Sequence, residues 1–179
     1  MCCGEVPEKL AEYTSKCPLC GYELRVLDYK YSIAYYGDVI ISTAECPSCG
    51  FKHRDVLVLG KSNPRKIVYR VEEPGDENAL LVKSSTCKIE IPELGLTVEP
   101  GISSQGYITT IEGLILDFIY ALNYLCEQED APRDKCSELS SLLGKAKNAE
   151  VKYTVIVYDS LGVCDIIGKK EPAYEELNV

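Results

Sequence analysis

The pentapeptide C-P-x-C-G occurs twice, as 17-CPLCG-21 and 46-CPSCG-50, with 25 residues between Cys20 and Cys46. A tight turn carrying Cys-x-x-Cys aims two sulfurs at one point, and backbone N–H groups after the first cysteine donate to the thiolates and lower their pKa. Proline at the second position fixes φ, and glycine after the second cysteine permits the positive φ that turns the chain away. The intervening 22-YELRVLDYKYSIAYYGDVIISTAE-45 is rich in Tyr, Val and Ile and is broken at Gly37-Asp38, so it reads as strand, turn, strand. A hairpin that brings the two turns together builds a tetrahedral site from Cys17, Cys20, Cys46 and Cys49. One structural zinc ion is the expected occupant, iron the weaker alternative, and two redox pairs the competing reading of the same cysteines. With all four positions taken by thiolates the site is closed, which suits a scaffold and not a Lewis acid. His53, the single histidine, falls past the second turn and is read as a bystander, neither ligand nor general base.

The module holding these turns is expected to run over residues 1–60, ending before the Ser/Asn/Pro connector 61-KSNPRK-66, with a second domain over 61–179. From Ile67 to Glu99 the apolar residues keep a period of two, interrupted at 74-PGDEN-78, Pro92 and Pro100-Gly101, which predicts short strands; Pro92 is expected at an edge or bulge. The period then changes. Thr109 and Glu112 have capping-box spacing, and the apolar run after them predicts a helix to about Gln128, buried over most of its length. Pro132 suits the start of a second helix, so an antiparallel helical hairpin is expected at about 112–148. Strands resume over 151–158 and 163–167 around the turn 159-DSLG-162, and the polar tail 169–179 is left as loose or docked on a neighbour.

Ten cysteines would suit a disulfide framework in a secreted chain, but 1-MCCGEVPEKL has neither the basic start nor the apolar run of a signal peptide. The longest apolar stretch, 113–126, is too short to span a bilayer and carries Asp117 and Asn123. A cytoplasmic, reducing location is the expectation, and Cys2, Cys3, Cys87, Cys126, Cys136 and Cys164 are read as small core hydrophobes. The sharper alternative is a redox pair, Cys126 with Cys136 across the helical hairpin. A single Met and two Gln are faintly thermophile-like, and hyperthermophile cytosols tolerate disulfides.

The formal net charge is −9, and four thiolates around one dication add a further net of about −2. Phosphate binding needs the opposite sign, so nucleic acid is disfavoured and a basic protein surface is the expected partner. Enzyme function finds little support: no nucleophile stands with a base, no phosphate loop is present, and acid pairs such as Glu90 with Glu93 read as a solvated face. Protein binding leads. The alternatives are a zinc-ribbon nucleic-acid binder of translation or transcription, and a thiol redox or metal-handling protein.

Taken in order, the two C-P-x-C-G turns, 82-VKSSTCKIEIPELGLTVEPG-101, 107-YITTIEGLI-115 and 153-YTVIVYDSLG-162 resemble the ZPR-one zinc finger proteins, from about Cys17 to Gly168. The resemblance implies a mainly β fold with α: an N-terminal zinc ribbon, then a β domain of double-stranded β-helix type with the helical hairpin inserted. Eukaryotic members carry this module twice, and this chain, carrying it once, resembles the archaeal form. It implies further a noncatalytic factor that binds translation elongation factor one-alpha, a GTPase, as a dedicated folding chaperone or cofactor. The zinc ligands carry over as Cys17, Cys20, Cys46 and Cys49. As interaction or fold residues, Lys83, Ser84, Thr86, Pro92, Glu93, Leu94, Thr109, Thr110, Glu112 and Gly113 carry over. Tyr35 and Tyr36, at the hairpin tip, are the aromatic anchors expected to meet the partner.

Overall fold

The computed structural model describes residues 7–33, 37–59, 63–101 and 103–177, and among these the period-two segments form strands β1 to β12 and the 3.6-period segments form helices α1 and α2. The first sheet is an antiparallel meander of β1 (Glu8–Lys16), β2 (Glu23–Ile33), β3 (Gly37–Glu45) and β4 (Lys52–Val58). One cysteine turn joins β1 to β2 and the other joins β3 to β4. Because Arg25 pairs with Glu45, both turns lie at the same end of the sheet. Gly37 and Asp38 already belong to β3, with Gly37 opposite Ile33, so these two residues are strand and not the turn expected of them. Tyr35 and Tyr36 lie outside the described residues.

The second unit is a two-sheet sandwich. β12 (Ala173–Glu176), β5 (Arg65–Val71), β10 (Tyr153–Asp159), β7 (Lys88–Ile91) and β8 (Leu96–Val98) form one sheet in that order, and β11 (Asp165–Ile167), β6 (Leu80–Lys83) and β9 (Tyr107–Thr110) form the other. Alternation decides the facing: Ile67, Tyr69 and Val71 of β5, Ile89 and Ile91 of β7, Val155 and Val157 of β10, Leu81 of β6 and Ile166 of β11 are all buried in one core. Full burial of each such aliphatic stabilises by about 1.5–3 kcal/mol. Pro92 does not interrupt a ladder; it opens the 3-10 turn Pro92–Leu94 that links β7 to β8. The polar tail is not loose, since β12 pairs with β5 from Ala173 opposite Val68 to Glu176 opposite Arg65.

Helices α1 (Ile111–Cys126) and α2 (Arg133–Lys147) form the hairpin between β9 and β10. The cap of α1 is Thr110, not Thr109: its hydroxyl accepts from Gly113 N–H at 3.0 Å. Ladder pairing carries β9 through Thr110, opposite Leu80, so the strand runs one residue further than the capping-box spacing implies. The expectation that α1 is mostly buried is also corrected. Ile111, Leu114 and Ile115 are buried against the sandwich, but Tyr120, Tyr124 and Leu125 are 69%, 69% and 61% exposed. The apolar sequence outlasts the surface available to cover it, so the far end of the hairpin extends past the sheets.

The sandwich and the ribbon share β6. Leu81 points into the sandwich core, while Val82 is buried with Val39, Val56 and Val58 of the ribbon.

A four-sulfur centre and the joint that holds it

The two cysteine turns have the same backbone geometry. Gly21 and Gly50 sit at φ 71° and 74°, the left-handed region that favours glycine. Gly21 N–H donates to Cys17 O at 2.9 Å and Gly50 N–H to Cys46 O at 3.0 Å; Cys17 N–H reaches Tyr22 O and Cys46 N–H reaches Phe51 O, both at 2.8 Å. The turns place Cys17 Sγ 3.6 Å from Cys49 Sγ and Cys20 Sγ 3.6 Å from Cys46 Sγ, with all four sulfurs within 4.8 Å of one another. Zinc–sulfur bonds of about 2.3 Å in a tetrahedron require sulfur separations of about 3.8 Å, so the donor set fits the ion. Cys17 and Cys46 are buried and Cys20 and Cys49 exposed, which puts two ligands in the small cluster with Leu24 and Val26 and two toward solvent.

Four thiols this close cannot all ionise without a cation. Burial pushes the Cys17 thiol up, but N–H donation from Cys20 and Leu19 and its sulfur neighbours win, lowering it to about 7. At Cys49 the Phe51 N–H acts to lower the pKa, but the neighbouring sulfurs of Cys20, Cys17 and Cys46, with burial, push it up to about 12. A bound dication removes this competition and supplies a fold-fixing link between the β1–β2 and β3–β4 turns. His53 lies in β4 opposite Ala44, with its ring stacked against Phe51 at a centroid distance of 6.4 Å, and is not among the clustered donors. A second group, Cys87, Asp159 and Cys164, is close enough to share an ion. Its two sulfurs are bonded to each other, however, and the Asp159 carboxylate accepts Val163 N–H at 3.0 Å and Cys164 N–H at 2.8 Å.

Four of the six remaining cysteines need a correction. Cys87 pairs with Cys164, and Cys126 with Cys136; only the second pair was among the alternatives read from sequence. Cys2 and Cys3 lie outside the described residues.

The segment 83-KSST-86 turns out to be the joint between ribbon and sandwich. Lys83 and Ser84 are buried, so they face the interior and not a partner. Lys83 Nζ donates to Ser84 O at 3.1 Å and Ser104 Oγ at 3.3 Å and stands over the Tyr107 ring. Burial holds the Lys83 ammonium below the usual lysine range, opposed by the charge of Asp55. The Asp55 carboxylate, from β4, accepts Ser85 N–H at 2.8 Å, Ser85 hydroxyl at 2.6 Å and Val56 N–H at 2.9 Å. Gly106 N–H donates to Arg54 O at 2.9 Å, and a Cβ at Gly106 would lie 2.9 Å from Asp55 Cα and closer still to Val56 N. Val58 N–H reaches Val163 O at 3.0 Å. Asp55, Ser85 and Gly106 were not singled out from sequence; only the polar run after Cys49 and the glycine before a strand hinted at them.

The other carried-over residues scatter. Thr86 is exposed beside Ser84, and Leu94 is buried. Glu93, though exposed, accepts Thr154 N–H at 3.0 Å and Thr154 hydroxyl at 2.8 Å, tying the β7–β8 turn to β10. Thr109, Thr110, Glu112 and Gly113 cluster at the start of α1, where a Cβ on Gly113 would collide with the Thr109 hydroxyl. Glu112 sits in the first turn, where the helix dipole favours an anion. Among the described residues no helix is long and apolar enough to cross a membrane.

Two domain families match this chain: the ZPR1 zinc-finger domain over residues 9–64 and the ZPR1 jelly-roll domain over residues 75–178. A ZPR1-like protein of Pyrococcus horikoshii is 33% identical, aligned over 95% of this chain and 81% of the relative. One of Methanocaldococcus jannaschii is 31% identical over 86% of this chain and 79% of the relative. The zinc finger chaperone zpr1 of Schizosaccharomyces pombe is 28% identical over 87% of this chain but only 35% of its own length.

Proposed function

This chain belongs to the ZPR1 zinc-finger family, and on that premise we propose that it is a noncatalytic, cytoplasmic protein-binding factor for translation elongation factor one-alpha, acting as its dedicated folding chaperone or cofactor. The observation that carries the reading is the closed four-cysteine centre at the end of a ribbon braced against the sandwich, a rigid presentation device with no open metal position. The fission-yeast relative is named a chaperone. Leu19 and Tyr22, at the first cysteine turn, are exposed, and buried aromatics and aliphatics are what anchor interfaces. Tyr35 and Tyr36, which follow β2 at the end remote from the cysteine turns, are separate anchors in this reading, with Thr86, Glu112 and the acidic sandwich facing a basic patch of the GTPase.

The nucleic-acid reading has one feature in its favour, a cavity of about 300 Å³ on the ribbon sheet lined by Arg25, Lys52, His53 and Arg54 among others. Two of its cations are already paired, Arg25 with Glu12 and Lys52 with Glu45, so protein binding is preferred. The test is titration of the zinc-loaded chain into purified elongation factor one-alpha with GDP or GTP, over a salt series. Saturable binding that weakens with salt is expected. No binding to either nucleotide state, with tight RNA binding in its place, would overturn the proposal.

A further inference from the structure

The two disulfides differ in what can reach them. Cys87 and Cys164 are fully buried, with Ser84 N–H donating to Cys164 Sγ at 3.2 Å from above. Cys126 and Cys136 are only half-buried, at the end of the helical hairpin that projects past the sheets, and both line a mainly apolar surface cavity of about 420 Å³ with Leu122, Leu125, Lys135 and Leu139. Thiol–disulfide exchange needs a thiolate to reach a sulfur, so access separates a permanent bond from a reversible one.

We propose that Cys126–Cys136 is a reversible redox site, reduced by a protein dithiol of neutral or basic active-site surroundings, and that Cys87–Cys164 is not. The choice of reductant follows from charge. The tip sequence 127-EQEDAPRDKCSE-138 carries five carboxylates against two cations, and one of those cations, Arg133, is held by Cys126 O at 2.8 Å. An anionic small thiol such as glutathione is repelled there, while an apolar protein surface presenting a dithiol is accommodated by the cavity. In the reaction a reductant thiolate attacks one sulfur and forms a mixed disulfide. The other cysteine leaves as thiolate, beside the Lys135 side chain that lines the same cavity, and takes a proton from water. The second reductant thiol then gives up its proton and attacks the reductant sulfur of the mixed disulfide. That bond breaks and the second cysteine of the pair is expelled as a thiolate, which is protonated in turn. Two electrons and two protons pass from the dithiol to Cys126 and Cys136, and the reductant is released as its own disulfide.

The structural consequence is local. The root of the hairpin is fixed by Ile111, Leu114, Ile115, Leu143 and Ala146, all buried, whereas Leu122 and Leu139 nearer the tip are only partly so. Opening the bond frees the last turn of α1 and the first of α2 without disturbing the sandwich.

The experiment exposes the oxidised, zinc-loaded chain to thioredoxin with its reductase, or to reduced glutathione at equal thiol concentration, then alkylates and maps the labelled cysteines by mass spectrometry. Labelling that appears only after reductant is added is expected to be confined to Cys126 and Cys136, with thioredoxin about tenfold faster at low salt and the gap narrowing as salt rises. Joint reduction of both pairs, or no reduction in the native protein, would overturn the redox assignment; equal rates for the two reductants would overturn the assignment of reductant class. Amide exchange in residues 119–139 is expected to speed up about tenfold on reduction, and likewise in the Cys126→Ser/Cys136→Ser variant, with 111–115 and 143–146 unchanged. Unchanged exchange at the tip of the reduced protein would refute the local opening.

Discussion

Replacing Asp55 with alanine is expected to separate the zinc ribbon from the sandwich without removing the metal. The carboxylate accepts three hydrogen bonds, from Ser85 N–H, Ser85 hydroxyl and Val56 N–H. Hydrogen bonds to a charged group contribute about 1.5–3 kcal/mol each. Asp55 is half-buried, so water recovers part of that, and a net loss of about 3 kcal/mol is expected. The same substitution leaves the buried Lys83 ammonium without the charge that opposes its desolvation. For a chain of this size the loss corresponds to a fall in Tm of roughly 6–12 °C. Calorimetry reads the shift, and amide exchange at Ser85 and Gly106 locates it. Arg54→Ala, one residue away on the exposed face of β4, is expected to change stability by less than about 0.5 kcal/mol. If Asp55→Ala and Arg54→Ala unfold alike, or if Asp55→Ala loses zinc, the joint is not where the hydrogen bonds place it.

Cys46→Ser is expected to lose the metal and unfold β1 to β4, while amide protection in the sandwich core survives; His53→Ala should retain one zinc per chain by elemental analysis. Thr110→Ala should cost about 1 kcal/mol through loss of the α1 cap, read in urea unfolding. Asp76 is buried and accepts Glu72 N–H at 2.9 Å and Glu73 N–H at 3.1 Å, with Lys170 at 2.8 Å; burial acts to raise its pKa, but these partners hold the carboxyl well below the usual range. A group depressed in the folded state stabilises above its unfolded pKa, near 4, and that contribution is lost as pH falls. The stability difference between the native chain and Asp76→Asn should therefore be full at pH 7 and shrink below about pH 4; a difference that is flat with pH would refute the assignment.

How much of this was readable in advance depended on whether the cause was local. The cysteine turns were legible because five residues and a positive-φ glycine specify each one, and the hairpin of α1 and α2 because its period changes from two to 3.6. The exposed half of α1 was not legible, since an apolar helix sequence does not state how far the surface beneath it extends. The same holds for Lys83: its motif was visible, but only the approach of β4 makes that lysine an interior residue. Cys87 and Cys164 are 77 residues apart, and nothing local pairs them. The Thr109–Thr110 ambiguity is of another kind, with two adjacent threonines competing for one cap and the decision made by how far β9 stays paired to β6.

The sharing of β6 also sets an order of events in synthesis. Every pairing in the ribbon is between sequence neighbours, β1 with β2, β2 with β3 and β3 with β4, so the ribbon can close around its metal as soon as those residues exist. The sandwich must wait, because among the described residues β5 pairs only with β10 and β12, and β6 takes β11 as well as β9. Long-range pairing of this kind is slow and leaves apolar faces open meanwhile. The finished ribbon offers Val39, Val56 and Val58 to the newly made Val82, and so acts as a template within the chain, covering that side of β6 before the strands that complete the sandwich have arrived.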